Sequence, residues 1–237
     1  AKGEFICILN PDTVVAEDTF IKLLEFAKSK TDLGAIGCKL IDGSGKFLPE
    51  SKRNVPLVKV ALQKIFGNGK NYYANHINKN EIRKVDVLVG AFMFMKKDTY
   101  NQVKGFDEDY FMYGEDIDLS YKLLQSGFQN YYFGKTTCIH YKGESTAKDK
   151  KYTKRFYGAM KLFYEKHFKT NVLFDTFVML GINFAHLFKK KSSSKSFQPE
   201  HYYFISDTRN KALETVLNKK VHVQGHINGI KSNSEII

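Results

Sequence analysis

The sequence predicts an α/β layer fold, on three observations. The apolar run EFICILN (4–10) stops abruptly at Asn10-Pro11-Asp12 and reads as a buried strand. Phe20, Leu23, Leu24 and Ala27 then recur at helical spacing, predicting a helix over 17–30 with Asp18 or Thr19 near its start. A second apolar run, LGAIGCKLI (33–41), completes a strand–helix–strand unit and is closed by the turn sequence DGSGK.

The chain of 237 residues, 43% hydrophobic with a mean hydropathy of -0.37, has room for one sizeable core and a small appendage, and is not a disordered composition. No apolar run approaches the ~18 residues of a spanning helix. No signal peptide is visible, and the first residues, AKGEF, already lie in strand-like sequence, so the expectation is a chain that starts inside a domain.

Residues 49–84, with Pro49, Pro56, Gly67 and Gly69 in polar spacing, predict an irregular excursion with a helix near 57–66, the kind of loop that covers a site. VDVLVGAFMFMKK (85–97) predicts a strand. Gly90 in its middle marks a bulge or a close approach by backbone or ligand. A helical turn over 97–102, the loop GFDEDYFMYG and a helix over 115–126 ended by Gly127 follow. Short strands near 129–133 and 136–141, helices over 150–168 and 172–188, a linker at 192–196 and a small α/β tail from 199 complete the reading. The expected organisation is therefore 1–168, a main domain; 169–198, an amphipathic helix and basic linker; and 199–237, a small tail.

The formal net charge is +12, which favours anionic partners: nucleic acid, anionic lipid or phosphorylated substrates. Nine Lys or Arg face three acids between Lys142 and Lys169, and KKKSSSK spans 189–195. These clusters flank the apolar stretch 170–188, which is too interrupted by Asp175, Asn183 and His186 to span a bilayer. It suits either an interfacial helix or a helix packed on protein. No nucleic-acid motif is present. Cys7, Cys38 and Cys138 sit singly in apolar runs without CxxC spacing, and read as buried free thiols of a reducing compartment.

Three stretches carry chemistry. Asp12, just past the end of a buried strand, stands where an open α/β sheet binds ligands, and its carboxylate suits a hard cation completed by phosphate oxygens. Alone, Asn-Pro-Asp is also an ordinary turn. YGEDIDLSY (113–121) sets Glu115, Asp116 and Asp118 within four positions behind an aromatic run. In a first helical turn such acids face the positive end of the helix dipole. A catalytic carboxylate at that helix start, beside an aromatic wall, is the alternative. His140 ends the strand before YKGES and reads as a metal ligand or as a satisfied histidine.

The order of these stretches (strand-NPD, VGAFMFMKKDTY, GFDEDYFMYGEDIDL, IHYKGES) resembles the family 2 glycosyltransferases of GT-A fold, particularly the bacterial rhamnosyltransferase-like branch of cell-surface polysaccharide synthesis, over residues 1–168. The resemblance implies a Rossmann-like mixed sheet flanked by helices, lacking its N-terminal part, with C-terminal helices and a small α/β tail. It implies that Asp12 and His140 bind Mg2+ or Mn2+. Asn10, Gly90, Ala91 and Ser145 would contact donor or acceptor. Asp116 would be the general base, with Glu115 positioning the acceptor. It implies a nucleotide-sugar donor (UDP- or dTDP-sugar), a glycan or lipid-linked acceptor, and a cytoplasmic, membrane-peripheral location, with no nucleic acid. Members carry sequence before the NPD motif that supplies much of the nucleotide pocket, so a fragment need not be active by itself. Asp118, two positions past Asp116 and off its helical face, is expected to cap or to pair with Lys or Arg. Two rival readings stand beside this one: a sugar-phosphate nucleotidyltransferase, and a non-catalytic basic module for membrane or nucleic acid.

Overall fold

In the computed structural model, residues 2–57, 60, 71–141, 150–168, 201–205, 215, 221–224 and 234–236 are described. The chain divides into two compact units, Ala1–Phe188 and Lys189–Ile237.

The first unit is built on a six-stranded mixed sheet. Its strands are β1 (Phe5–Leu9), β2 (Thr13–Val15), β3 (Leu33–Ile41), β4 (Ile82–Lys84), β5 (Phe92–Lys96) and β6 (Gln129–His140). The order is β1-β5-β3-β6-β2, with β4 also pairing β6. β5 is antiparallel to both β1 and β3, and β6 is parallel to β3, so β1, β3 and β6 run one way and β5 runs against them. The last residues of β1 and β6 and the first of β5 therefore emerge at one sheet edge.

Alternation along the strands fills two layers. Phe92 and Phe94 of β5 join Leu33, Ile36, Cys38 and Leu40 of β3 beneath Leu23 and Ala27 of α1 (Thr19–Lys28). Met93 and Met95 face the other way, with Ala35, towards Leu119 and Leu123 of α3 (Glu115–Gln125). The short helix α2 (Lys97–Gln102) links β5 to the acidic loop. A third cluster packs Ala159, Met160, Phe163 and Tyr164 of α4 (Lys150–His167) on Ile117, Tyr110 and Val87.

Three expectations are corrected. The two short strands near 129–133 and 136–141 are one strand, because the break at Gly134 is a register shift opposite Cys38 and Lys39 and not a turn. The strand over 85–97 is confined to Phe92–Lys96. Residues 85–91 are largely buried and, Asp86 apart, apolar like a strand, yet side chains satisfy much of their backbone. Asn130 Nδ2 donates to the Asp86 carbonyl, Leu88 N–H donates to Ser120 Oγ, and Arg53 donates to the Leu88 carbonyl. The expected 17–30 helix is trimmed to Thr19–Lys28; Asp18 stands at its N-cap without a side-chain cap bond and pairs with Lys22 at 2.6 Å.

The second unit contains β7 (His201–Ile205), β8 (Val221–Gln224) and β9 (Ser234–Ile236), all parallel, in the order β8-β7-β9. Of the expected tail helix only Thr215 is described, and it is helical. The helices expected near 57–66 and over 172–188, the basic linker and Ser145 lie outside the described residues, Leu57 and Val60 apart. Among the described residues no helix is long and apolar enough to cross a membrane. All three cysteines are free thiols, two of them buried.

Candidate active site

The sheet edge where β1 and β6 end and β5 begins gathers the stretches singled out in the sequence. Asn10 follows β1, and its N–H donates to the Ala91 carbonyl at 3.0 Å. The next residue back along that segment, Gly90, donates its N–H to Asp116 Oδ2 at 3.0 Å. Positions 10, 90–91 and 116 are thus linked by two hydrogen bonds. Gly90 is not inside a strand, but the close approach expected of it is real: a Cβ there would meet Asp116 Cβ at 3.3 Å.

Asp12 and His140 meet two residues away. β2 returns antiparallel against the end of β6, pairing Thr13 with His140, and the Tyr141 N–H donates to the Asp12 carbonyl. This places His140 Nε2 3.4 Å from Asp12 Oδ1. The histidine is buried while the Asp12 carboxylate is 41% exposed, and His140 Nδ1 is buried without a hydrogen-bond partner. One oxygen and one nitrogen donor therefore stand together, open on the aspartate side. Among the described residues no group of three or more His, Cys, Asp or Glu could hold a metal. Two protein donors suit a divalent cation such as Mg2+ that takes its other ligands from phosphate and water.

The acids of α3 fare differently from one another. The helix starts at Gly114, which is left-handed (φ 89°) and preceded by left-handed Tyr113 (φ 70°), and no side chain caps it. All three acids sit in the first turn, where the dipole favours them. Asp118 is fully buried and structural, as expected. His167 Nε2 lies 2.6 Å from its Oδ1 and Lys122 Nζ 2.8 Å from its Oδ2, the latter an ion pair off hydrogen-bond geometry. Burial alone would raise its carboxyl; His167 and Lys122 outweigh that and hold it below the usual carboxylate range. Two acids of the preceding loop, Asp107 and Asp109, are also matched, since Lys166 bridges them at 2.5 Å each. So Lys122 of α3 with Lys166 and His167 of α4 match these structural acids, leaving Glu115 and Asp116 at the sheet edge.

Glu115 is half-buried, with Oε2 sealed and unpartnered. Burial, with Asp116 beside it, pushes its carboxyl upward. Asp116 is 8% exposed. Its compensating charge is Arg53, whose Nη2 lies 2.7 Å from Asp116 Oδ2 in a buried ion pair. Sequence reading missed Arg53. It lies in the stretch 49–84 that carries no periodicity, and only the isolated bridges Arg53–Val87 and Arg53–Tyr73 bring it in.

A family model described as "Glycosyltransferase like family 2" matches residues 1–159. Over 152 residues the chain is 27% identical to an N-acetylglucosaminyl-diphospho-decaprenol L-rhamnosyltransferase of Mycobacterium tuberculosis, covering 62% of this chain and 50% of that protein. Over 149 residues it is 29% identical to rhamnosyltransferase WbbL of Escherichia coli K12, covering 60% and 53%. The chain spans about half the length of the curated relatives it matches. A crystal structure of GalNAc-T7 with UDP, GalNAc and Mn2+ aligns at TM-score 0.47 and 13% identity, over 69% of this chain and 31% of that one.

Proposed function

The chain belongs to glycosyltransferase family 2, and on that premise we propose that it is a metal-dependent inverting glycosyltransferase. It moves a sugar from a UDP- or dTDP-activated donor to a lipid-linked or surface glycan, with Mg2+ or Mn2+. The observation that carries this reading is the pair of hydrogen bonds joining Asn10 to Ala91 and Gly90 to Asp116, which bring three distant segments to one edge beside Asp12 and His140. A deoxyhexose such as rhamnose is the proposed sugar, and a diphospho-prenol glycan the proposed acceptor, by analogy with the relatives' names.

In this reading Asp116 is the general base. Its carboxylate takes the proton of the acceptor hydroxyl as that oxygen attacks the anomeric carbon and the bond to the nucleoside diphosphate breaks on the opposite face. Glu115, one residue earlier, orients the acceptor. Asn10 and the Gly90–Ala91 backbone line the place where donor and acceptor meet, and Ser145 is proposed to touch the diphosphate. Asp12 and His140 would hold the cation, which supplies charge neutralisation for the departing diphosphate. Residues 1–168 are proposed as the transferase part, 169–198 as a segment resting on anionic membrane at the cytoplasmic face, and 199–237 as an appended unit.

The test uses the full-length protein with Mn2+ or Mg2+ and a panel of UDP-, dTDP- and GDP-sugars. Metal-dependent nucleotide release from one donor, lost in Asp12→Ala, is expected. Transfer to a short-chain N-acetylglucosaminyl diphospho-prenol should then fail in Asp116→Asn while release persists. Release that ignores both metal and Asp12→Ala would refute the metal assignment, and full transfer by Asp116→Asn would refute the base.

A further inference from the structure

We propose that Arg53 is the positioning residue of the acceptor base, holding the Asp116 carboxylate by one oxygen so that the other is presented to the acceptor hydroxyl. The proposal rests on the reading of Asp116 as base. Arg53 is 7% exposed, its side chain is held at three points and its backbone at a fourth. Nη2 donates to Asp116 Oδ2 (2.7 Å) and to the Leu88 carbonyl (2.6 Å), Nη1 donates to the Tyr72 hydroxyl (3.3 Å), and its backbone exchanges two hydrogen bonds with Val87. The guanidinium is therefore fixed between the Leu88 carbonyl, the Asp116 carboxylate and the Tyr72 hydroxyl.

The manner of contact separates positioning from simple charge neutralisation. Arginine commonly grips a carboxylate with two parallel hydrogen bonds, one to each oxygen. Here both donors, Arg53 Nη2 and the Gly90 N–H, converge on Oδ2. No hydrogen bond reaches Oδ1 among the described residues, and Oδ1 is not sealed from solvent. An oxygen left bare at the mouth of an otherwise buried ion pair is the one able to accept a proton from outside. The charged groups facing it are Arg53 and the neighbouring Glu115.

A base held this way should lose turnover, not donor affinity, when its anchor is altered. Lysine keeps the charge but not the planar fork, so it does not hold Asp116, Leu88 and Tyr72 together. In the full-length protein, Arg53→Lys should lower kcat for transfer by about tenfold or more, with donor KM within about threefold. Arg53→Ala should lose more, and added guanidinium should restore part of its transfer rate while leaving Asp116→Asn unrescued. A natively melting Arg53→Lys with wild-type kcat would overturn the proposal. So would a variant whose loss lies entirely in donor KM, which would make Arg53 a donor ligand. Full transfer by Asp116→Asn would instead sink the underlying base assignment, whatever Arg53 does. If Arg53→Ala does not fold, the Arg53→Lys split between kcat and KM still decides the matter.

Discussion

Substituting Gly114 by alanine tests how the helix carrying Glu115 and Asp116 is launched. Gly114 has φ 89°, and a Cβ placed there would meet the Tyr110 ring at 3.0 Å and Ala159 Cβ at 3.1 Å. The left-handed backbone costs an alanine roughly 1–2 kcal/mol. Crowding a packed site costs about 1–3 kcal/mol more, since neither the ring nor the α4 backbone behind Ala159 yields freely. A stiffer unfolded chain offsets roughly 0.4–1 kcal/mol. The net is about 2–4 kcal/mol, or roughly 5–15 °C in Tm for a domain of this size. Gly127, at the other end of the same helix, supplies the control. Its φ is 85° but a Cβ would meet nothing within 4 Å. Gly127→Ala therefore carries only the backbone cost, about 1 kcal/mol or less net. Both variants would be followed by thermal unfolding monitored by circular dichroism. A Gly114→Ala protein no less stable than Gly127→Ala would refute the idea that Tyr110 and Ala159 press on the helix start.

Asp118→Asn should destabilise by about 3 kcal/mol at neutral pH, because it leaves Lys122 and His167 facing a neutral amide in a buried site. The folded carboxyl lies below its unfolded value of about 3.9, so its contribution is complete above that pH and is lost as pH falls through the folded value. Urea titrations at pH 7 and pH 3 should show the gap between wild type and variant narrowing in acid; a constant gap would count against this pairing. The Cys7 thiol, pushed up to about 12 by burial with Cys138 adding to it, should carry on the order of a thousandfold less thiolate at pH 8 than an unperturbed thiol. Iodoacetamide labelling read by mass spectrometry should mark Cys7 far more slowly in the native protein than in urea, and equal labelling rates would contradict its partial burial.

By itself the sequence determined the periodic parts of this protein and the local chemistry of its motifs. The apolar runs of β1 and β3, the helical spacing of α1 and α3, the stop at Asn10-Pro11 and the stop at Gly127 each depend on residues within a few positions of one another. The pairing of Asp118 with a cation was legible for the same reason, since Lys122 lies one turn away. The ordered series of motifs was legible too, and it led to the family. Tertiary structure alone decided the rest. Residues 85–91 have a strand's composition, but Asn130, Ser120 and Arg53 take their backbone hydrogen bonds, so no ladder forms there. Gly134 looks like a turn and is a shift within one long strand, because β3 continues alongside it. Arg53 carries no periodic or motif signal. Its role depends on a contact with Asp116, 63 positions along the chain, and such a contact leaves no mark on local sequence.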